Sequence, residues 1–151
     1  MKTIVAPVDF SSATEAVVAE AARLATAIEG QVVLLTIIQP PVITSEYAPL
    51  MENMAEITAA GEKAAAKHLS RLQELLQQQQ VPCETVQLNG APVAHIVEQA
   101  RKYAANYIVM GSHGHTALYD LLVGSTTHGV LLRARCPVVI IPSAKERVKR
   151  P

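Results

Sequence analysis

The sequence predicts an α/β fold: a single doubly wound domain with a five-stranded parallel sheet and helices on both of its faces. Three observations carry this reading. Short apolar segments rich in β-branched residues alternate with longer segments whose apolar residues recur at helical spacing. The alternation runs β-α-β-α-β-α-β-α-β from end to end, with no linker and no convincing internal repeat. Strands joined through helices in this way run parallel, by right-handed crossovers, and such a sheet must be covered on both faces. The chain has 151 residues, half of them apolar, which fits one domain with a substantial core.

The elements follow in order. TIVAPV (3–8) is the first strand. SSATEAVVAEAARLATAIEG follows as a helix, with Ser11 or Ser12 as cap, Glu15 in the first turn and Gly30 closing the C-terminal end. Val17, Val18, Ala21, Leu24, Ala25 and Ile28 form one stripe for burial. QVVLLTII (31–38) is apolar without alternation, as a strand covered on both faces must be. Pro40 and Pro41 end it and open a long loop to residue 50, the kind of loop that often covers a site. A long helix spans about 51–80, and its four glutamines read as a solvated last turn. CETVQL (83–88) is the third strand; Asn89-Gly90 turns the chain, and Pro92 opens the next helix. NYIVMG (106–111), a helix from about 124 and PVVIIP (137–142) complete the series. The domain is expected over 1–144, with 145–151 a basic, flexible tail.

Composition excludes several classes. Lys+Arg and Asp+Glu are both 13, so there is no broad basic face for nucleic acid. With no Trp and one Phe the chain lacks stacking platforms for single strands. No apolar run approaches a membrane span, and Pro7 and Asp9 interrupt the N-terminal apolar run too early for a secretory signal. A cytoplasmic location is expected, with Cys83 and Cys136 as reduced core thiols.

In a doubly wound sheet, ligands lie past the carboxyl ends of the strands where the winding reverses. Two strand ends here carry unusual residues. The first ends PVDFSS, with Asp9 at its edge; the fourth ends VMGSHG, with Gly111 and Gly114 at its edge. If these strands are neighbours, both ends face one crevice. Glycine permits positive φ and lets backbone approach a bulky ligand. Gly124 then precedes a helix whose first-turn N–H groups and dipole favour an anion, and Ser125, Thr126 and Thr127 add hydroxyls there. A polyphosphate would use both glycine clusters. The alternative is that these glycines make turns and Ser125 caps a helix. Neither G-x-x-x-x-G-K-[ST] nor G-x-G-x-x-G after the first strand is present, which argues against a P-loop NTPase and an ordinary dinucleotide-binding dehydrogenase.

These residues resemble the universal stress proteins, and in particular the subgroup carrying G-x2-G-x9-G-[ST] after the fourth strand. Here the pattern reads Gly111, Gly114, nine residues, then Gly124-Ser125. PVDFS, GAPVAHIVEQA and CPVVIIP extend the resemblance over about 2–143. The resemblance implies a Rossmann-like domain of the adenine nucleotide alpha hydrolase type, strand order 3-2-1-4-5, and bound ATP accompanied by Mg²⁺ or Mn²⁺ through the phosphates. It implies a stress-response or regulatory role, and a homodimer through the last strand, between Pro137 and Pro142. By position, Asp9 would anchor the adenosine, Pro7 and Val8 would shape its wall, and Ile37 would meet the adenine through its backbone. Met110 and Gly111 would lie near the ribose, and Gly114, Gly124, Ser125 and Thr126 would hold the phosphates. Thr36 stands where the family often has His, and Thr126 where it often has Val.

His113, His115 and His128 lie near this segment. Two histidines at i, i+2 with a distant third make a weak zinc pattern, so no protein metal site is assigned; His113 or His115 donates to phosphate or faces water. His68 and His95 read as surface or edge residues of helices. Hydrolysis needs a positioned water or base and charge stabilisation at the γ-phosphate, and no Lys or Arg falls inside the motif. The reading is therefore a nucleotide-holding protein with slow or no turnover. A slow ATPase or phosphotransferase, and a nucleotide-free dimeric stress protein, are the alternatives. The sequence names no protein partner.

Overall fold

The structure, a computed structural model, describes residues 1–40, 51–113 and 123–143, with the backbone alone at 51 and 52. Five strands, β1 (Thr3–Pro7), β2 (Gln31–Ile38), β3 (Cys83–Asn89), β4 (Tyr107–Gly111) and β5 (Val138–Ile141), form one sheet. Its order is β3-β2-β1-β4-β5 and all four pairings are parallel. Helices α1 (Thr14–Ala27) and α2 (Met51–Gln78) cover one face, and α3 (Pro92–Lys102) and α4 (Ser125–Arg133) the other. Strand order and helix placement match the sequence reading.

Burial explains the continuous apolar strands. In β1, successive side chains point to opposite faces. Ile4 and Ala6 join the α1/α2 core with Val17, Val18, Leu69, Leu72 and Leu76, while Val5 joins the α3/α4 core with Ile96, Ile108 and Val130. Both layers are buried at the central strands, so a polar side chain is accommodated there only with a hydrogen-bond partner, as Thr36 has. The α2 stripe is uneven. Ala65, Leu69, Leu72 and Leu76 are buried, but no described side chain before Ala65 is.

Helix ends depart from the expectation in an informative way. Neither Ser11 nor Ser12 caps α1: Ala13 holds the cap position and makes no side-chain cap bond. Asp9 Oδ1 instead accepts the Ser11 N–H at 3.0 Å, which folds the chain back before the helix begins. At the other end, the Glu29 N–H reaches the Thr26 carbonyl and the Gly30 N–H the Ala25 carbonyl, a Schellman closure. The left-handed residue is Glu29, at φ 55°, rather than Gly30. Gly30 is required for a different reason: a Cβ there would lie 2.5 Å from the Lys2 carbonyl oxygen. The same closure ends α2 with Gln80 at φ 60° and α3 with Ala104 at φ 46°.

Cys83 and Cys136 are both free and partly buried. Burial pushes the Cys83 thiol up to about 11 and raises that of Cys136. The Tyr103 hydroxyl donates to the Glu84 carboxylate, tying the end of α3 to β3. That bond, with burial, pushes the phenol up to about 12.

The helix ends and the titrating side chains generate three predictions. Glu29→Gly removes an unfavourable left-handed side chain and should raise urea-unfolding stability by about 0.5–1 kcal/mol. Gly30→Ala should lower it by about 1–3 kcal/mol through the clash with Lys2. Cys83 and Tyr103 hold their protons more tightly folded than unfolded. Their contribution is therefore complete below a pH of about 8.5, the ordinary thiol value. It fades as pH climbs through about 11 for Cys83 and about 12 for Tyr103. Unfolding midpoints should fall over that range, and less steeply in Tyr103→Phe.

Candidate functional site

The winding reverses between β1 and β4: the chain leaves β1 toward α1 on one face and leaves β4 toward α4 on the other. Their carboxyl ends, with that of β2, open into a crevice of about 680 Å³. Ten of the twelve residues singled out from the sequence line it: Pro7, Val8, Asp9, Ile37, Met110, Gly111, His113, Gly124, Ser125 and Thr126. The other two, Gly114 and His115, lie outside the described residues. So does the 41–50 segment of the expected covering loop, and the chain beyond 143.

Hydrogen bonds fix the floor. Thr36, buried at the end of β2, donates to the Val8 carbonyl at 2.9 Å and so sets the strand residue preceding Asp9. Thr127, buried in the first turn of α4, donates to the Gly111 carbonyl at 2.8 Å. The Gly124 N–H reaches the Ser112 carbonyl at 2.7 Å, and the Ser112 N–H reaches Ile141. The end of β4, the start of α4 and the end of β5 are thus one bonded unit. His113 Nδ1 stands 3.1 Å from Ser112 Oγ, and its residue is half-buried at the crevice wall.

The start of α4 is the polar end of the crevice. Gly124 is its N-cap, and the first helical bond runs from the His128 N–H to the Gly124 carbonyl. The N–H groups of the first turn have no intrahelical acceptor, and Ser125 is exposed beside them. Neither Gly111 nor Gly124 uses a positive φ here. Gly124 sits at φ −68°. Gly90, at φ 131°, is the only described glycine with φ in the left-handed range. A Cβ on Gly111 would meet Ala13 Cβ at 3.2 Å, so α1 packs directly against the end of β4.

Sequence reasoning missed the opposite wall. Phe10, Thr14, Val17, Gly61, Ala65 and His68 line the crevice from the α1/α2 side. Phe10 is held at φ 61°, a conformation that a bulky side chain rarely adopts and that costs roughly 1–3 kcal/mol. Its ring stacks on His68 with centroids 4.8 Å apart. His68 is exposed, as expected of an edge residue, and its ring also lines the crevice. The signal was its place three residues after Ala65 and four before Leu72, beside the buried stripe of α2. Nothing in the sequence signalled the Phe10 backbone. His128 is exposed and does not line the crevice; His95 lies at the β3–α3 turn, its Nε2 3.0 Å from the Asn89 carbonyl oxygen.

The described lining contains Asp9, His68 and His113 but no Lys or Arg. Arg133 and Arg135 stand at the far end of α4. Among the described residues no three of His, Cys, Asp and Glu gather to hold a metal. No described helix is long and apolar enough to cross a membrane. An anion placed here meets backbone N–H groups, a helix dipole and hydroxyls in place of fixed cations.

A family model described as the universal stress protein family matches residues 1–142. The chain belongs to that family. It is 29% identical over 146 residues to universal stress protein MJ0531 of Methanocaldococcus jannaschii, covering 96% of this chain and 84% of that one. The solved structure of UspA from Lactobacillus plantarum matches with a TM-score of 0.82 at 25% identity, over 93% of this chain and 97% of that one. A universal stress protein from Archaeoglobus fulgidus, solved in complex with dAMP, matches in fold with a TM-score of 0.66 at 24% identity, over 93% and 98%.

The Thr127 bond gives a direct prediction. Thr127→Val keeps the shape but leaves the Gly111 carbonyl without its donor, so stability should drop by about 1–2 kcal/mol in urea unfolding. An unchanged midpoint would remove this bond from the account of the site.

Proposed function

We propose that this chain is a regulatory module that binds an adenine nucleotide, ATP in the first place, with slow or no hydrolysis. One observation carries the reading: the switch-point crevice joins Asp9 and Ile37 on one side to Gly111, Gly124, Ser125 and Thr126 on the other. The adenosine lies against Ile37 and Met110, which both pack into the α3/α4 core. The phosphates lie at the start of α4, where first-turn N–H groups and hydroxyls replace lysine. The same fold in the Archaeoglobus fulgidus protein admits dAMP.

Slow turnover follows from the lining. A γ-phosphate transition state needs concentrated positive charge, and the described wall offers only histidines and backbone dipoles. Mg²⁺ or Mn²⁺ would neutralise the phosphates, held chiefly by the nucleotide, because Asp9 is the lone carboxylate on the described wall. The open edge of β5, which pairs only with β4, is the surface through which a homodimer would form.

The test is calorimetric titration with ATP, ADP and AMP in the presence of Mg²⁺. Micromolar or tighter binding of ATP is expected. Gly124→Val fits the backbone φ of −68° and should fold, yet its side chain should weaken binding at least tenfold. ATP binding absent from the wild type, or unaffected by Gly124→Val, overturns the reading. Light scattering at high concentration should give a dimer; a monomer would remove the β5 pairing.

A further inference from the structure

The crevice has two wings of opposite chemistry, and the nucleotide reading uses only one. On the α3/α4 side stand Ile37, Met110 and the polar start of α4. On the α1/α2 side the wall consists of Phe10, Thr14, Val17, Gly61, Ala65 and His68, with Phe10 and Val17 packed into the other core layer. No described residue of this second wing carries a fixed charge. A Cβ built on Gly61 meets nothing within 4 Å, so the helix wall is set back there and leaves open space. Thr14 and Ser11 bring hydroxyls to this wall, and that of Thr14 is the buried one. Thr14 is 8% exposed, and its Oγ1 is buried with no hydrogen-bond partner among the described residues. The other buried threonines on the crevice, Thr36 and Thr127, both donate to carbonyls. The strained backbone of Phe10 is spent on setting a ring against His68 at this wall.

The geometry points to a second subsite in this wing, for an uncharged apolar or aromatic group carried by the nucleotide. The ligand class is an adenine nucleotide conjugated to such a group, its phosphates at α4 and its apolar part against Gly61, Ala65 and the Phe10–His68 pair. Side-chain chemistry decides the class: the wing has apolar faces and a ring pair but no described cation, so a ring gains apolar burial and a stacking partner there. This inference rests on the nucleotide reading for the first half of the ligand and on the α1/α2 wall for the second.

The experiment compares ATP with two conjugates, its N-methylanthraniloyl ester and an ATP benzylated on the adenine amine, by calorimetry and fluorescence. At least one conjugate should bind about tenfold more tightly than ATP. Gly61→Leu fills the open space on an exposed, helix-favouring position and should fold at least as stably as the wild type. It should return the conjugate to the affinity of ATP and leave ATP itself within twofold. His68→Ala should do the same in part. Conjugates that bind no better than ATP, or that are indifferent to Gly61→Leu, overturn the subsite while the nucleotide reading stands. If neither ATP nor conjugate binds, the nucleotide reading falls. Anilinonaphthalene sulfonate then decides the wing: fluorescence enhancement lost in Gly61→Leu upholds an apolar subsite, and equal enhancement in both proteins overturns it.

Discussion

The pairing of β1 with both β2 and β4 is the constraint on which the rest depends. The chain leaves β1 and its neighbour β4 toward opposite faces and toward opposite edges of the sheet. Two loops diverging from adjacent strand ends cannot fill the space between them, so a crevice is an outcome of winding order. Its depth follows from the core. Ile4, Val5 and Ala6 are wholly buried between two helical layers, which fixes the height at which Asp9 emerges. The Thr36 bond then ties β2 to the end of β1, and the Thr127 bond ties α4 to the end of β4, so each rim is held to its own neighbour.

An anion at the start of α4 would meet backbone donors and hydroxyls, with no Lys or Arg on the described wall. Backbone donors are fixed in place and cost no reorganisation when an anion arrives, whereas a lysine side chain must be ordered.

Much of this was legible in the residues. Strand placement came from β-branched apolar runs bounded by Pro and Gly, and all five strands fall within a residue or so of the expected ends. The site was legible because a glycine spacing and an acidic strand end survive in linear order. What was not legible depends on contacts distant in sequence. The cap of α1 moved to Ala13 because Asp9, already singled out for another role, takes the Ser11 N–H. Gly30 looked like a helix terminator, yet its need is the Lys2 carbonyl from the neighbouring strand. The Phe10–His68 wall joins residues 58 positions apart, and no local pattern could pair them.

Helix α2 has 28 residues and so runs about 42 Å, while β2, with 8 residues, runs about 26 Å. Its buried anchors are Ala65, Leu69, Leu72 and Leu76, all in the C-terminal half. Mechanically, α2 is a cantilever clamped at one end. Gly61 and His68 sit near the edge of the clamp, and the turns before them extend beyond any described buried contact. Gln87 and Asn89 of β3 each donate to Glu62, so the clamp reaches to that residue. A rotation of the helix about this clamp would be magnified along the turns before it, so packing beneath the helix governs the reach of its far end.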